Sequence, residues 1–482
     1  MADAYAFLKE CKLDTTLYLR YHAQQSPKRL AIVAPQNSIN YAFLVQLVDN
    51  IALRLYASGV NQSSRVELAL DNKPATLVLA LALQRLGCAC FIPFAASLSG
   101  AVACEFYLDD RVVEGRNGKP LIVTADWFAL SFSTNDEPPE FEGFSSLHSL
   151  AVITTSTGTT GKPKIIGSTL EKLHNSVISG LQQTGQVAGK APCLVAASYG
   201  SLWAFRQMLT ILWSGGTLVL GQVHPSSAAA LKTNRVRHLA TPVGRLADWL
   251  TIARRNSRLF DGLEAITTAG AMLTPAMERE VKTFMCRQIY TNYGTTETGL
   301  IASGNSFQRS KHANCVGSIV HGVKVQIVDE LEQVLPNDQT GRVRIWVGRS
   351  HDTIGGTMVK EGWFYPGDLG VMKEDELLCI EGRVDDLVNF GGRKFRLDSL
   401  DDQLVGCKGI IDHAVFAVPD RLGVTRLYCA VCPGEGFDPE ILKSHLRDAP
   451  PFTKIFEVSQ LPRSTDGKIK RRELSALVNN KG

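Results

Sequence analysis

The chain has no uninterrupted apolar run long enough to span a bilayer, although 45% of its 482 residues are hydrophobic. No basic-then-apolar leader follows Met1, so a cytoplasmic location is expected. Charge of one sign is also scarce. Fifty-one Lys and Arg face 47 Asp and Glu, and the resulting +4 is too dilute to favour nucleic acid or an anionic membrane. The 11 cysteines show no recurrent spacing. In so long a chain they read as small apolar residues of a reducing compartment, so neither zinc nor a disulfide is expected. No internal repeat is evident, which argues against a solenoid. The length exceeds what one core supports, so two or three domains are expected.

What is present is a βα rhythm. RLAIVA, YAFLVQLVDNIALRLYASGV, RVELAL and ATLVLALALQRLGCACFIPF alternate short β-rich runs with helical patterns, and Gly59 and Gly87 stand where helix ends favour a left-handed residue. After a polar interval, AVITTS, APCLVAAS, GGTLVL, HLATPV, LEAITTAG and CRQIYTNYG continue the pattern. Beyond Val316 the strand patterns become closely spaced, as in an antiparallel meander. Beyond Asp386 a smaller α+β unit of about one hundred residues follows, enough to fold alone.

AVITTS leads into TSTGTTGKPK, from Thr155 to Lys164. Glycine lets backbone amides approach an oxyanion, hydroxyls add rotatable donors and lysine supplies charge, so this reads as a triphosphate loop. It is not the common P-loop. Gly158 and Gly161 are too close together, and Pro163 removes an amide where a P-loop places a magnesium-binding hydroxyl. Four further islands follow in order: YGTTETG (Tyr293 to Gly299), GWFYPGDLG (Gly362 to Gly370), GRVDDLVNFGGR (Gly382 to Arg393) and PRSTDGKIKRREL (Pro462 to Leu474).

With the phosphate loop, these islands resemble the core motifs of the adenylate-forming superfamily, which includes acyl- and aryl-CoA synthetases, peptide-synthetase adenylation domains and beetle luciferases. The resemblance covers roughly the last two thirds of the chain, and motifs in this order are highly specific. It implies an α/β fold: a large N-terminal domain (1–384) of several subdomains, with α/β sheets and a β-rich subdomain, and a small mobile α+β C-terminal domain (386–482) hinged near Asp385. It also implies an AMP-forming acid–thiol ligase. A carboxylate attacks the α-phosphate of ATP, pyrophosphate leaves, and a thiol then displaces AMP. The substrates and cofactors implied are ATP, Mg2+, a small carboxylic acid, and CoA or the phosphopantetheine of an acyl or aryl carrier protein.

By the same resemblance, Thr157, Thr159, Thr160 and Lys164 cradle the β- and γ-phosphates. Tyr293 stacks near adenine, Thr296 meets the α-phosphate and Glu297 holds magnesium. Asp368 accepts the ribose hydroxyls and Arg383 is a second ribose contact, unless it merely pairs with nearby Asp385 or Asp386. Gly270 and Ala271 face adenine. Lys468 bridges carboxylate and α-phosphate oxygens, Asp385 is the hinge, and Gly391 and Gly392 line the thiol tunnel or form a simple hairpin turn. Lys470 to Arg472 read as a solvated helix start.

Three positions depart from the family pattern: Ile165 after the loop lysine, Pro366 before Gly367, and Tyr199 where many members carry His, or Asp in amino-acid activators. Lacking that Asp, the chain is not expected to take an α-amino acid. Tyr199, Trp203, Phe205 and Pro242 either line an aromatic or acyl pocket or belong to the core. Three readings stand: a CoA synthetase, a stand-alone enzyme loading a carrier protein, and a catalytically silent nucleotide-binding interaction module. Intact Thr296, Glu297, Asp368, Arg383 and Lys468 oppose the last.

Overall fold

The computed structural model describes residues 13–479, apart from 36, 71–72, 94–97, 134–139, 157–163, 189–190, 199, 222–223, 313, 349–358, 385–386, 391–392, 420–424, 441, 443–451 and 465–468. The βα rhythm becomes two sheets, as the expected α/β sheets of the large domain require. Arg65–Leu68, Ala89–Phe91, Phe106–Asp109 and Lys119–Ile122 join Leu150–Ser156 and Lys164–Thr169 in a six-stranded sheet. All its neighbouring pairs are parallel except the last two strands, which form a hairpin around the phosphate loop.

Leu30–Val33, the first strand of the rhythm, goes elsewhere and lies parallel to Thr217–Leu220. From there Pro192–Val195, His238–Ala240, Ala265–Ala269 and Gln288–Thr295 follow in space, each parallel to the last. LAIV, TLVL and PCLV are almost wholly apolar, as strands covered on both faces must be, whereas Ala265–Ala269 and Gln288–Thr295 carry Thr, Asn and Tyr toward the site. The helix Tyr41–Ala57 shows why the layers cohere. Asn40 caps it by accepting a bond from the Phe43 N–H at 2.8 Å, and Leu44, Leu47, Val48, Ile51, Ala52 and Leu55 bury one stripe. Gly59 then closes its end with φ +99°. The stripe enters a core shared with Leu77, Leu83, Leu173 and Leu209, which come from helices of both sheets.

The β-rich subdomain is an extension of the second sheet. Gly299–Asn305, Cys315–Ile319, Leu377–Arg383, Asp368–Met372, Gly341–Trp346 and Trp363–Phe364 continue it antiparallel, in that spatial order. It has its own core of Ile301, Ile327, Val343, Ile345, Phe364 and Leu378. The expectation that no disulfide forms is corrected here: Cys315 and Cys379 lie directly opposite each other across two antiparallel strands and are joined. Their separation of 64 residues gave no hint of that register.

The C-terminal unit is built on Ile410–Pro419, Thr425–Pro433 and Lys454–Glu457, with a hairpin of Leu387–Phe390 and Arg393–Arg396 and a helix Leu397–Leu404 before them. Cys429 and Cys432 have the spacing of a dithiol pair, but three residues along a strand place them on opposite faces. Cys429 packs with Leu400 and Leu427, Cys432 with Phe416 and Leu461. Among the described residues no cluster of metal-ligating side chains is found, and no helix is long and apolar enough to cross a membrane.

Candidate active site

Among the described residues, YGTTETG, the end of GWFYPGDLG and Gly382–Arg383 come together where the parallel part of the second sheet becomes antiparallel. The elements concerned are helices α1 (Leu170–Ala188) and α2 (Leu202–Trp213) and strands β1 (Gln288–Thr295), β2 (Gly299–Asn305), β3 (Asp368–Met372) and β4 (Leu377–Arg383). β1 and β2 form a hairpin in which Thr295 faces Gly299, so Thr296, Glu297 and Thr298 make its tip. The Thr295 hydroxyl fixes that turn, accepting the Thr298 N–H at 3.1 Å and lying 3.0 Å from the Thr298 hydroxyl. Gly294 is needed at the base, because a Cβ there would fall 2.2 Å from the Gly299 carbonyl oxygen.

Asp368 and Arg383 are cross-strand partners on β3 and β4. Arg383 Nη1 donates to Asp368 Oδ1 at 3.0 Å and to the Pro366 carbonyl at 2.8 Å, while Tyr293 Oη donates to Asp368 Oδ2 at 2.6 Å. Arg383 therefore pairs with Asp368, while Asp385 and Asp386 lie outside the described residues. The carboxylate is only 8% exposed, yet each oxygen keeps a lone pair, the number needed to accept two vicinal hydroxyls. Burial first, then the Asp368 charge, raises the Tyr293 phenol well above its ordinary range, so it stays a donor at any working pH. The aromatic expected beside adenine thus also anchors the ribose-binding candidate.

Glu297 is half-buried and makes no hydrogen bond or ion pair with another described residue. Its free oxygens suit a hard cation, which fits the magnesium expected there. Ala265–Ala269 runs parallel to β1 and ends in Gly270, whose φ is +91° with nothing within 4 Å of an added Cβ, so backbone lies open where a flat base could rest. Ala271 beside it is exposed. Arg309, overlooked in the sequence, braces this loop by donating to the Leu273 carbonyl at 3.0 Å and to Glu278 at 2.9 Å. Lys164 opens the return strand of the phosphate-loop hairpin, opposite Ser156. Thr157, Thr159, Thr160, Tyr199, Asp385, Gly391, Gly392 and Lys468 lie outside the described residues.

The acid-pocket candidates divide. Phe205 is buried in the shared core, and Pro242 is buried as the N-cap of the helix Val243–Arg255, beside Thr241 and Trp249. Trp203 packs against the core only in part, and its indole N–H is buried without a partner. One turn along α2 is Arg206, which sequence reasoning passed over. Its signal was there: it is the only charged residue of LWAFRQMLTILW.

A family model described as AMP-binding enzyme matches residues 19–103 and 111–351. The chain is 23% identical to 4-coumarate–CoA ligase 4 of Arabidopsis thaliana, over 91% of this chain and 86% of that one. It is 25% identical to the fatty acid–[acyl-carrier-protein] ligase MmaC of Mycobacterium marinum, over 95% of this chain and 96% of that one. The fold matches that of O-succinylbenzoate coenzyme A synthetase MenE of Bacillus subtilis, solved with ATP and a magnesium ion, with a TM-score of 0.80 at 18% identity over 95% of this chain and 99% of that one. With the family model covering most of the chain, from residue 19 into the β-rich extension, the protein belongs to the AMP-binding enzymes, the adenylate-forming superfamily.

Proposed function

We propose that this enzyme activates a carboxylic acid with ATP, releases pyrophosphate, and transfers the acyl group from the resulting acyl-adenylate to the thiol of CoA. The observation that carries the reading is Asp368, held between Tyr293 Oη and Arg383 Nη1 with lone pairs to spare, beside a hairpin tip that offers Thr296 and a Glu297 without a partner among the described residues. That arrangement suits a nucleotide lying with adenine against Gly270 and Ala271, ribose on Asp368 and the α-phosphate at Thr296.

In this reading the acid's carboxylate oxygen attacks the α-phosphorus and the bond to the bridging oxygen of pyrophosphate breaks. Thr157, Thr159, Thr160 and Lys164 hold the departing phosphates, and the Thr296 hydroxyl donates to an α-phosphate oxygen. Magnesium on Glu297 would supply charge neutralisation on the triphosphate. Lys468 bridges the carboxylate and the α-phosphate oxygens, where negative charge builds in the transition state. The thiol sulfur then attacks the acyl carbon and AMP leaves. The domain reading is part of the proposal: residues 386–482 reorient about Asp385 between the two half-reactions, bringing Gly391 and Gly392 to the thiol. The likeness to MmaC over nearly the full length favours a second acceptor, the phosphopantetheine of a carrier protein.

The test is carboxylate-dependent ATP–pyrophosphate exchange without CoA, over aryl, short, medium and long acyl acids, followed by AMP release with CoA or with a pantetheinylated carrier protein. Exchange with one class of acid, abolished in Asp368→Ala, is the expected result. ATP binding without exchange across the panel would overturn the reading.

A further inference from the structure

α2 brings a buried cation, without a carboxylate partner among the described residues, beside the base of the hairpin at Gly299. Arg206 is 8% exposed, its Nε is buried without a hydrogen-bond partner, and no ion pair joins its guanidinium to a described carboxylate. The nearest comparisons are part-buried arginines that do have carboxylate partners: Arg85 pairs with Asp14 at 2.6 Å, Arg116 with Asp109 at 2.7 Å, and Arg309, whose Nε also lacks a partner, with Glu278 at 2.9 Å. Burial pulls the Arg206 guanidinium down to about 10, so it remains a cation at neutral pH. A buried charge with no counter-ion is unfavourable unless something supplies one.

Trp203 lies three residues earlier on the same face of α2, and its buried Nε1–H also lacks a partner. Trp213, at the far end of the helix, lacks one too, but its ring is stacked on Tyr18 at 4.4 Å and belongs to the core. The position of Arg206 relative to the reacting centre is fixed by Gly299: a Cβ there would fall 3.5 Å from Arg206 Nη1 and 2.6 Å from Ser176 Oγ of α1. Gly299 is the base of the hairpin and faces Thr295, whereas Thr296 and Glu297 occupy the tip. The carboxylate that reacts belongs at the tip, so Arg206 addresses the other end of the same molecule.

We infer that Arg206, with the indole N–H of Trp203, receives a second carboxylate of the substrate, and that the acid activated is a dicarboxylic acid. This rests on the adenylation reading above and names its substrate class. A planar guanidinium presents paired donors that match a carboxylate's two oxygens, and the flanking indole adds a third.

The test compares length-matched acids in ATP–pyrophosphate exchange by the full-length enzyme: succinate with butyrate, glutarate with pentanoate, adipate with hexanoate, phthalate with benzoate. The expected result is at least a tenfold preference for one dicarboxylate over its partner, with the kcat/KM ratio falling at least thirtyfold in Arg206→Gln and largely kept in Arg206→Lys. A merely loosened fold lowers both rates and leaves the ratio alone. Preference for the monocarboxylates, or a ratio unmoved in Arg206→Gln, overturns the inference. Calorimetric titration of the same dicarboxylates without nucleotide separates it from the adenylation reading. Binding lost in Arg206→Gln supports the anion receptor even where no exchange occurs; no binding and no exchange sinks it.

Discussion

Replacing Asp368 with Asn tests the nucleotide site at its most connected atom pair. The substitution is isosteric. Its amide oxygen can still accept from Arg383 at the 3.0 Å position, and the amide nitrogen meets Tyr293 Oη, which can turn to accept where it now donates at 2.6 Å. The fold should therefore survive. What is lost is specific to ribose. Hydrogen bonds to a charged acceptor contribute about 1.5–3 kcal/mol, and the amide offers one neutral acceptor where the carboxylate offered two charged ones. A net loss of about 2–3 kcal/mol follows, which is roughly 30- to 150-fold in affinity. The assay is AMP binding by calorimetry, with circular dichroism and thermal unfolding as controls. Tyr293→Phe removes only a partner of the carboxylate and should weaken AMP about fivefold, the share of one neutral hydrogen bond. AMP affinity within threefold of wild type in a normally folded Asp368→Asn protein would refute the reasoning and place the ribose elsewhere.

Lys468→Ala should slow carboxylate-dependent exchange about a hundredfold to a thousandfold, because a preorganised cation at developing charge contributes about 3–4 kcal/mol. Its Kd for ATP should change far less; equal losses in both would deny it a transition-state role. Asp385→Pro should impair CoA-dependent AMP release more than exchange, and proportional losses in the two half-reactions would end the hinge reading. His238 supplies a pH signature. It is buried with Nε2 2.7 Å from the Thr267 hydroxyl, and burial pulls its imidazole from 6.5 down to about 4. A depressed folded value means the unfolded chain binds the proton first, so its contribution is whole above about pH 6.5 and is lost as pH falls toward 4. Between pH 7 and 5 this amounts to about 2 kcal/mol. The unfolding transition in urea should show that difference, less of it in His238→Gln; identical pH slopes in the two proteins would remove His238 as the cause.

Local signals made the elements legible, but their spatial partners were not. The helix Tyr41–Ala57, the turns at Gly59 and Gly87 and the strand leading to the phosphate loop all follow from periodicity and glycine position. Which sheet Leu30–Val33 joins does not, because an apolar strand of four residues fits either parallel neighbour equally well. Arg383 shows the same limit at the site. Asp385 and Asp386 are near it along the chain, yet the antiparallel register sets Asp368 opposite it. Arg206 was visible as a charge in an apolar helix. Its lack of a counter-ion among the described residues is a property of what α1, α2 and β2 bring together, and no window of sequence contains that. The cross-strand Cys315–Cys379 pair was hidden for the same reason.

The junction between parallel and antiparallel strands explains why the motifs are far apart in the chain and adjacent in space. Ala265–Ala269 and β1 are parallel and in register, with Ala269 beside Asn292, so Gly270 and Tyr293 emerge at the same edge. Ligands favour such strand ends in open α/β sheets. The antiparallel extension then returns the start of β3 and the end of β4 to that edge, completing the Asp368 anchor. One bond gives this a mechanical consequence: the Val384 N–H donates to the Gly367 carbonyl at 2.8 Å, tying down the last residue before Asp385. In the proposed cycle, rotation that begins at Asp385 therefore starts beyond the ribose clamp. The small domain can exchange Lys468 for Gly391 and Gly392 at the reacting carbon while Tyr293, Asp368 and Arg383 keep hold of the adenylate. Cutting that tie with Gly367→Ala, where φ is +79° and a Cβ would press to 3.0 Å from Arg383 Nη2, should therefore raise the AMP off-rate and let adenylate escape before the thiol arrives. Escape is read as acid-dependent AMP release without CoA, and a rate equal to wild type would show that the clamp and the hinge are not coupled in this way.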